Sequence, residues 1–213
     1  LGGYSATFLN TALVCAIFLG MYQLCGAKVN NVSNLAFLLT AGFCSWGIHV
    51  LNIWPSVLGV VLYCIIKKEK LSTSVNAMLF STGIAPLITE LMLRYPGTQV
   101  GFTFIGIALS ILVGLAIGFF LPAGLAFSPK VHKGFDLYSA ALPIGMMAFF
   151  LQAILYKTQG VALPAAPDAA TLQVASQATA NIFCGIVFGL SVVIAFLLGC
   201  KPKDYWKVLK DPA

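Results

Sequence analysis

Apolar residues fill this chain in runs too long for a water-soluble core, and the polar positions between them cut it into segments. Tyr4 to Leu24, Leu71 to Leu93, Val100 to Leu121, Leu137 to Tyr156 and Leu172 to Gly199 are each as long as the ~20 apolar residues a helix needs to cross a ~30 Å hydrocarbon core. Val32 to Ile66 reads as a sixth crossing with a break in it. Pro55 cannot donate a hydrogen bond and disfavours helix at Trp54, so the break falls at Asn52 to Pro55. In Leu71 to Leu93 a second interruption is expected at Gly83 and Pro86. The pattern therefore predicts an all-α integral membrane protein of about six transmembrane crossings, two of them discontinuous helices, with a transporter-like repeat unit as the architecture.

Broken helices matter because backbone freed from a helix is tolerated at membrane depth only against protein or a water-filled cavity. Transporters line polar sites with such half-helix ends. Polar residues cluster beside the breaks and at span entrances: Asn10, His49, Asn52, Glu90, Asp136 and Ser139 are the candidate substrate- or ion-binding residues, with Pro55, Gly83 and Pro86 as the helix breaks. Two placements of the first break stay open. It lies deep in the membrane, or, if Trp46 and Trp54 are interfacial anchors, it lies near the surface. Glu90 has a plainer reading as the i,i+4 partner of Arg94.

Charge then sets an orientation. Lysines gather at Lys67 to Lys70, at Lys130 and Lys133, and at Lys201 to Lys210, and lysine-rich short loops stay in the cytoplasm. Placing these three groups inside puts Lys28 outside and both ends of the segment in the cytoplasm. Residues 1–200 form the transmembrane domain in this reading and 201–213 a basic cytoplasmic tail. The chain starts at Leu1 without an initiator Met, which reads as a piece of a longer reading frame.

Composition narrows the classes further. The chain is 60% hydrophobic and 8% charged, which excludes a soluble domain of 213 residues. Its net charge of +6 is juxtamembrane lysine, with no basic face interleaved with aromatics, so nucleic acid is not an expected partner. The six cysteines are scattered, with no CxxC pair. They read as small apolar fillers, and no metal or cofactor is expected.

GGYSATFLNTAL at residues 2–13 and KGFDLYSAAL at 133–142 echo each other, which suggests a parallel internal repeat. The stretches GGYSATFLN, GFCSWGIHVLNIWPSVLGVVLY, LFSTGIAPLITE and HKGFDLYSAALPIG, with KDYWKVLK in the tail, resemble an uncharacterised bacterial integral-membrane family, domain of unknown function 1576. The resemblance implies a bacterial inner-membrane protein about twice this length, built from two such halves. The bilayer, and a second repeat unit in the same chain or a second copy, are then its partners. This chain departs from the family where Gly47, Ile48 and His49 replace Gly-Lys-Asn or Gly-Lys-His, and where Asp136 to Ser139 replace Asn-Leu-Tyr-Asn. The resemblance implies no activity.

Function follows from the breaks. A transporter or channel for a small polar solute or ion is the first expectation. The alternatives are a membrane-embedded enzyme on a lipid-linked substrate, with His132 and Asp136 four residues apart and Lys130 and Lys133 nearby, or a non-catalytic membrane subunit. No HExxH or GxSxG pattern supports the enzyme.

Overall fold

The computed structural model describes residues 3–97, 100–133, 138–157, 159–162, 176–199 and 201–210. Among these the chain is helical, with no strand. It divides into two units, Leu1–Ala165 and Ala166–Ala213. The first holds α1 (Gly3–Leu24), α2 (Asn31–Phe43), α3 (Trp54–Lys67), α4 (Leu71–Ser81), α5 (Ala85–Arg94), α6 (Phe104–His132) and α7 (Ala141–Gln152). A π-helical turn, Ala153–Lys157, extends α7. The second holds α8 (Gln177–Leu197) and α9 (Pro202–Lys210). Among the described residues four helices are long and apolar enough to cross a membrane: α1, the combined α4–α5, α6 and α8. The chain is a membrane protein on that ground.

Local sequence explains where the helices begin. Asn30 and Ser33 cap each other's backbone at the start of α2, and the Thr103 hydroxyl accepts from the Gly106 N–H at the start of α6. Pro55 and Pro86 each lie in the first helical turn, of α3 and α5. A proline there lacks only an N–H that has no helical partner anyway. Both prolines therefore start helices, and the irregular backbone precedes Pro55. A 3-10 turn at Cys44–Trp46 stops at Gly47, whose φ of 109° suits a residue without Cβ. Residues 47–53 then form a non-helical tip. The second interruption is milder. Only the 3-10 turn Thr82–Ile84 separates α4 from α5, and Leu71–Arg94 counts as one crossing.

The first broken segment does not cross; it folds back. Val32 at the start of α2 lines the same cavity as Tyr63 and Glu69 at the end of α3 and Thr73 in α4. At the other end the backbone of Gly47 lies beside Pro86, and Asn52 bonds Ala85 and Thr89. α2 thus runs parallel to α4–α5 and α3 antiparallel to it, as a helical hairpin. Its arms of 13 and 14 residues rise only about 20 Å at ~1.5 Å per residue, short of a ~30 Å core. This corrects the expectation of one discontinuous crossing through Val32 to Ile66. The cause is Asn52, which bonds upward to α5 and holds the tip there while α3 turns back.

One crossing fewer changes the sidedness within this unit. Lys28 and Asn30 line a cavity with Ser72 and Thr73, so the first loop lies at the same end as Lys67, Lys68 and Lys70. α6 starts beside Leu91 and Tyr95 and runs back past Ser56 and Tyr63, carrying Lys130 and Lys133 to that end as well. The start of α1, the hairpin tip, Arg94 and Lys157 lie at the opposite end. The lysine pattern separates Lys28 from the other lysines and places the Leu1 end among them. The fold does the reverse. It also sets the two echoing stretches in opposite senses, since α1 runs from tip to lysine end and α7 from lysine end to tip, so they are not a parallel repeat.

The hairpin is fastened by its second arm. Ile53, Val57, Val60 and Cys64 bury one face of α3, at helical spacing. α3 packs on α6, which buries Val113, Ile117 and Leu121 of its own. A Cβ added at Gly59 would overlap the Leu115 carbonyl, one at Gly114 the Pro55 ring, and one at Gly118 the Ser56 carbonyl. Helix association in lipid has no hydrophobic drive, so such backbone-to-backbone approach supplies the contact.

In the second unit, the Ser176 hydroxyl accepts from the Thr179 N–H to cap α8, and the Gln177 amide donates to Asn181. Those polar side chains satisfy one another. In α9, Lys203, Trp206, Lys207 and Lys210 recur at three- and four-residue spacing and share a face.

Two measurements check this fold. Gly118→Ala lowers stability by about 1–3 kcal/mol, the usual cost of overpacking, in reversible unfolding in detergent. Gly20→Ala, where the added Cβ meets nothing, stays within about 0.5 kcal/mol. In a chain freed of its own cysteines, Lys28→Cys and Glu69→Cys react with an impermeant maleimide from one side of sealed vesicles and Leu51→Cys from the other. Labelling of Lys28→Cys from the side of Leu51→Cys would refute the hairpin.

Candidate functional site

The tip leaves a run of backbone groups outside any helix, and two asparagines take them up. The buried Asn52 side chain accepts from the His49 N–H (2.9 Å) and donates to the carbonyls of Gly47 (2.8 Å) and Ala85 (3.2 Å) and to the Thr89 hydroxyl (2.8 Å). Two N–H bonds serve three acceptors, so one is shared. Asn10 of α1 donates to the Ile48 carbonyl (2.8 Å) and accepts from the Val50 N–H (3.3 Å). The Leu51 N–H donates to His49 Nδ1 (3.2 Å), which places the ring proton of neutral His49 on Nε2, 3.4 Å from the Thr89 hydroxyl. With Ile48 N–H on Phe43 and Asn52 N–H on His49, every amide from Ile48 to Asn52 is paired. Asn10, His49 and Asn52, the candidates at the first break, are thus brought together. Their polar atoms are occupied in holding the tip.

The tip stands about 20 Å above the lysine end, counting ~1.5 Å per residue along α3, short of the far side of a ~30 Å core, with Trp46, Leu51 and Trp54 exposed there. Ile48 is buried; a lysine in the same place would put its charge among apolar neighbours.

The remaining candidates separate. Glu90 lies on α5 toward the tip end, with Oε2 3.9 Å from Arg94 Nε, the i,i+4 arrangement read from sequence. Ser139 lies toward the lysine end, where its hydroxyl is 3.0 Å from His132 Nε2. Asp136 is outside the described residues. Among the described residues no cluster of three His, Cys, Asp or Glu side chains is placed to hold a metal, and Cys15, Cys25, Cys44, Cys64 and Cys184 are free thiols.

Ser139 leads to a cavity. A space of about 430 Å³ opens between the start of α2, the end of α3, α4, the Pro122 turn of α6 and the start of α7. Its polar groups come from Tyr63, Glu69, Thr73, Ser74, Asn76 and Ser139. A second space of about 410 Å³, bounded by Tyr22, Lys28 and Asn30, shares Thr73 and Asn76 with it. Both fall in the size range of small-molecule sites. Tyr22 Oη donates to Asn76 Oδ1 at 2.5 Å, which leaves the amide nitrogen as the group Asn76 presents to the cavities. Pro122 has no N–H for the carbonyl four residues earlier, so the apolar wall of α6 carries an extra acceptor there.

Sequence reasoning passed over Thr89, Asn76, Tyr22 and Tyr63. Asn76 was within reach, because it is the one asparagine in the apolar run from Leu71 to Leu93, the same signal that picked out Asn10. Thr89 carried no signal. A threonine in a helix usually bonds its own backbone, and only the fold shows that this one faces Asn52.

The tip network makes a stability prediction. Asn52→Ala strands the Gly47 carbonyl and the His49 N–H and costs about 2–4 kcal/mol, at 1–3 kcal/mol for each buried group left unpaired. Asn10→Ala costs about half as much, since its groups are only part-buried. Denaturant unfolding of both variants in detergent checks the ratio, and equal, negligible losses would show the tip does not need the amides.

No curated protein and no solved structure matches this chain. One family profile does, over residues 1–157, from α1 to the end of the π-helical turn, and thus over the hairpin, its tip network and the described walls of both cavities. With nearly three-quarters of its length matched, the chain belongs to the family described as Protein of unknown function (DUF1576).

Proposed function

We propose that this chain is the transmembrane part of a transporter or channel for a small polar solute, which enters through the cavity at the lysine end. The observation that carries this is the cavity of about 430 Å³, walled by α2, α3, α4, α6 and α7 and furnished with hydroxyls, one amide and one carboxylate. Such mixed donors and acceptors on an apolar frame suit a neutral or zwitterionic solute. The hairpin tip stands above it toward the other face, closed by its own hydrogen bonds. Lysine-rich loops favour a bacterial cytoplasmic membrane with Lys28, Lys67, Lys68, Lys70, Lys130 and Lys133 inside, which sets the beginning of α1 outside. A second copy or a second half of the same architecture completes the pathway in this reading.

A specific contact supports a second reading. The hydroxyl of Ser139 within 3.0 Å of His132 Nε2 is the spacing of a nucleophile and its base, at the wall of the same cavity. It would make the cavity a site for acyl or phosphoryl transfer on a lipid-linked substrate.

Flux separates them. Proteoliposomes holding the full protein take up a labelled polar solute, and Asn76→Leu, which blocks the wall shared by the two cavities, cuts that flux at least tenfold with folding unchanged. Ser139→Ala leaves flux within about threefold and abolishes labelling by a serine-reactive fluorophosphonate only if the second reading holds. Folded protein that passes no ion or small metabolite would sink the transporter.

A further inference from the structure

The second unit sets a basic face directly after a membrane-crossing helix. α8 is long and apolar enough to cross a bilayer, and the Gly199 N–H still bonds back to the Phe196 carbonyl within it. From Gly199 to Pro202, where α9 begins, the chain runs only three residues, at most about 11 Å when fully extended. α9 therefore starts close to the headgroups at the surface where α8 ends.

Lys203, Trp206, Lys207 and Lys210 are exposed and border one shallow recess on α9. Between Lys201 and Lys210 four lysines stand against one acid, Asp204. The helix alone accounts for only part of this charge. Lys207 and Lys210 lie in the last turn, where cations suit the negative end of the helix dipole. Lys203 lies in the first turn, beside Pro202, where the same dipole disfavours a cation. Since all three share one face, what they have in common is an anionic partner that spans it. Trp206, 60% exposed on that face, adds a ring of the kind that settles at headgroup depth.

Tethering selects the anion. A nucleic acid or an acidic protein would have to be captured from solution, whereas α8 holds the bilayer surface against α9. Lysines this near a membrane are drawn to anionic lipid, over a range of about one screening length, ~8 Å at physiological salt. We propose that α9 is a contact site for anionic phospholipid: it lies along the membrane surface with Lys203, Lys207 and Lys210 on lipid phosphates and Trp206 among the headgroups. Zwitterionic lipids, whose phosphate carries its own cation, hold this face less well. The site stands whether or not the cavities of the first unit pass a solute.

The full chain in lipid nanodiscs, which leave both membrane faces open to solvent, tests this. Trp46→Phe and Trp54→Phe leave Trp206 as the one tryptophan. Its quenching by acrylamide is compared in phosphatidylcholine and in phosphatidylcholine with about one-third phosphatidylglycerol. In the anionic discs the quenching constant falls about threefold and the emission shifts to the blue, and ~0.5 M sodium chloride restores the neutral value. Lys203→Gln, Lys207→Gln and Lys210→Gln together remove the difference between the two lipids, and the same three positions changed to Arg keep it. Equal quenching in both lipids overturns the proposal, as does a difference that survives the Gln changes. Strong shielding of Trp206 in both lipids, untouched by salt, marks a protein partner instead. The salt comparison uses the lysine-bearing chain, so it decides even if the Gln variant does not fold.

Discussion

Backbone polar groups that leave a helix inside an apolar layer must find partners, and the first unit depends on how residues 47–53 meet that demand. Asn52 does most of it, with its side chain turned into a substitute for two missing helical partners and a tether to α5. Without that amide the tip would face exposed carbonyls and amides at a cost of about 1–3 kcal/mol each. With it, the chain can reverse direction before reaching the far face. The hairpin, the common location of the lysine-bearing loops and the cavity between α2 and α4 all follow from that reversal.

The two arms of the hairpin are held by different means. α3 is pressed on α6 through Gly59 and Gly118, where backbone meets backbone, and through Gly114, which meets the Pro55 ring. α2 lacks such a seam; its place is set by the capping box at Asn30 and Ser33 and by packing on α1 and α4. Small residues give lipid-embedded helices their tightest contacts. α3 with α6 is thus the fixed side of the cavity, and α2 with α1 the side held by fewer close approaches.

Much of this was legible in the sequence, and its limits are physical. Apolar run lengths gave the helices, because crossing ~30 Å imposes a length. Asn10, His49 and Asn52, polar positions that the apolar pattern singles out, lie together at the hairpin tip. What run length does not encode is direction. A segment of two short helices joined by a proline break reads the same whether it passes through or turns back, and only the bond from Asn52 to Ala85 and Thr89 decides. That one ambiguity inverted the expected positions of Lys28 and the Leu1 end. Pro55 and Pro86 misled in a related way, since a proline marks an irregular backbone without saying whether it ends the preceding helix or begins the next. Glu90 pairs with Arg94 as the spacing suggests.

α1 ties the two ends of this unit together. Asn10 bonds the hairpin tip and Tyr22 bonds Asn76 at the cavity, and the two side chains are about 18 Å apart along one helix at ~1.5 Å per residue. A helix is stiff over that length, so a shift of α1 along its axis strains both bonds at once. Val14, Phe18 and Tyr22 bury the face of α1 that carries this connection, while Phe8, Leu9, Leu13 and Leu19 remain on its exposed side. The exposed side suits lipid, against which a helix slides without losing specific contacts. A displacement of α1 that draws Asn10 from Ile48 therefore also strains the Tyr22 bond to Asn76 at the cavity wall.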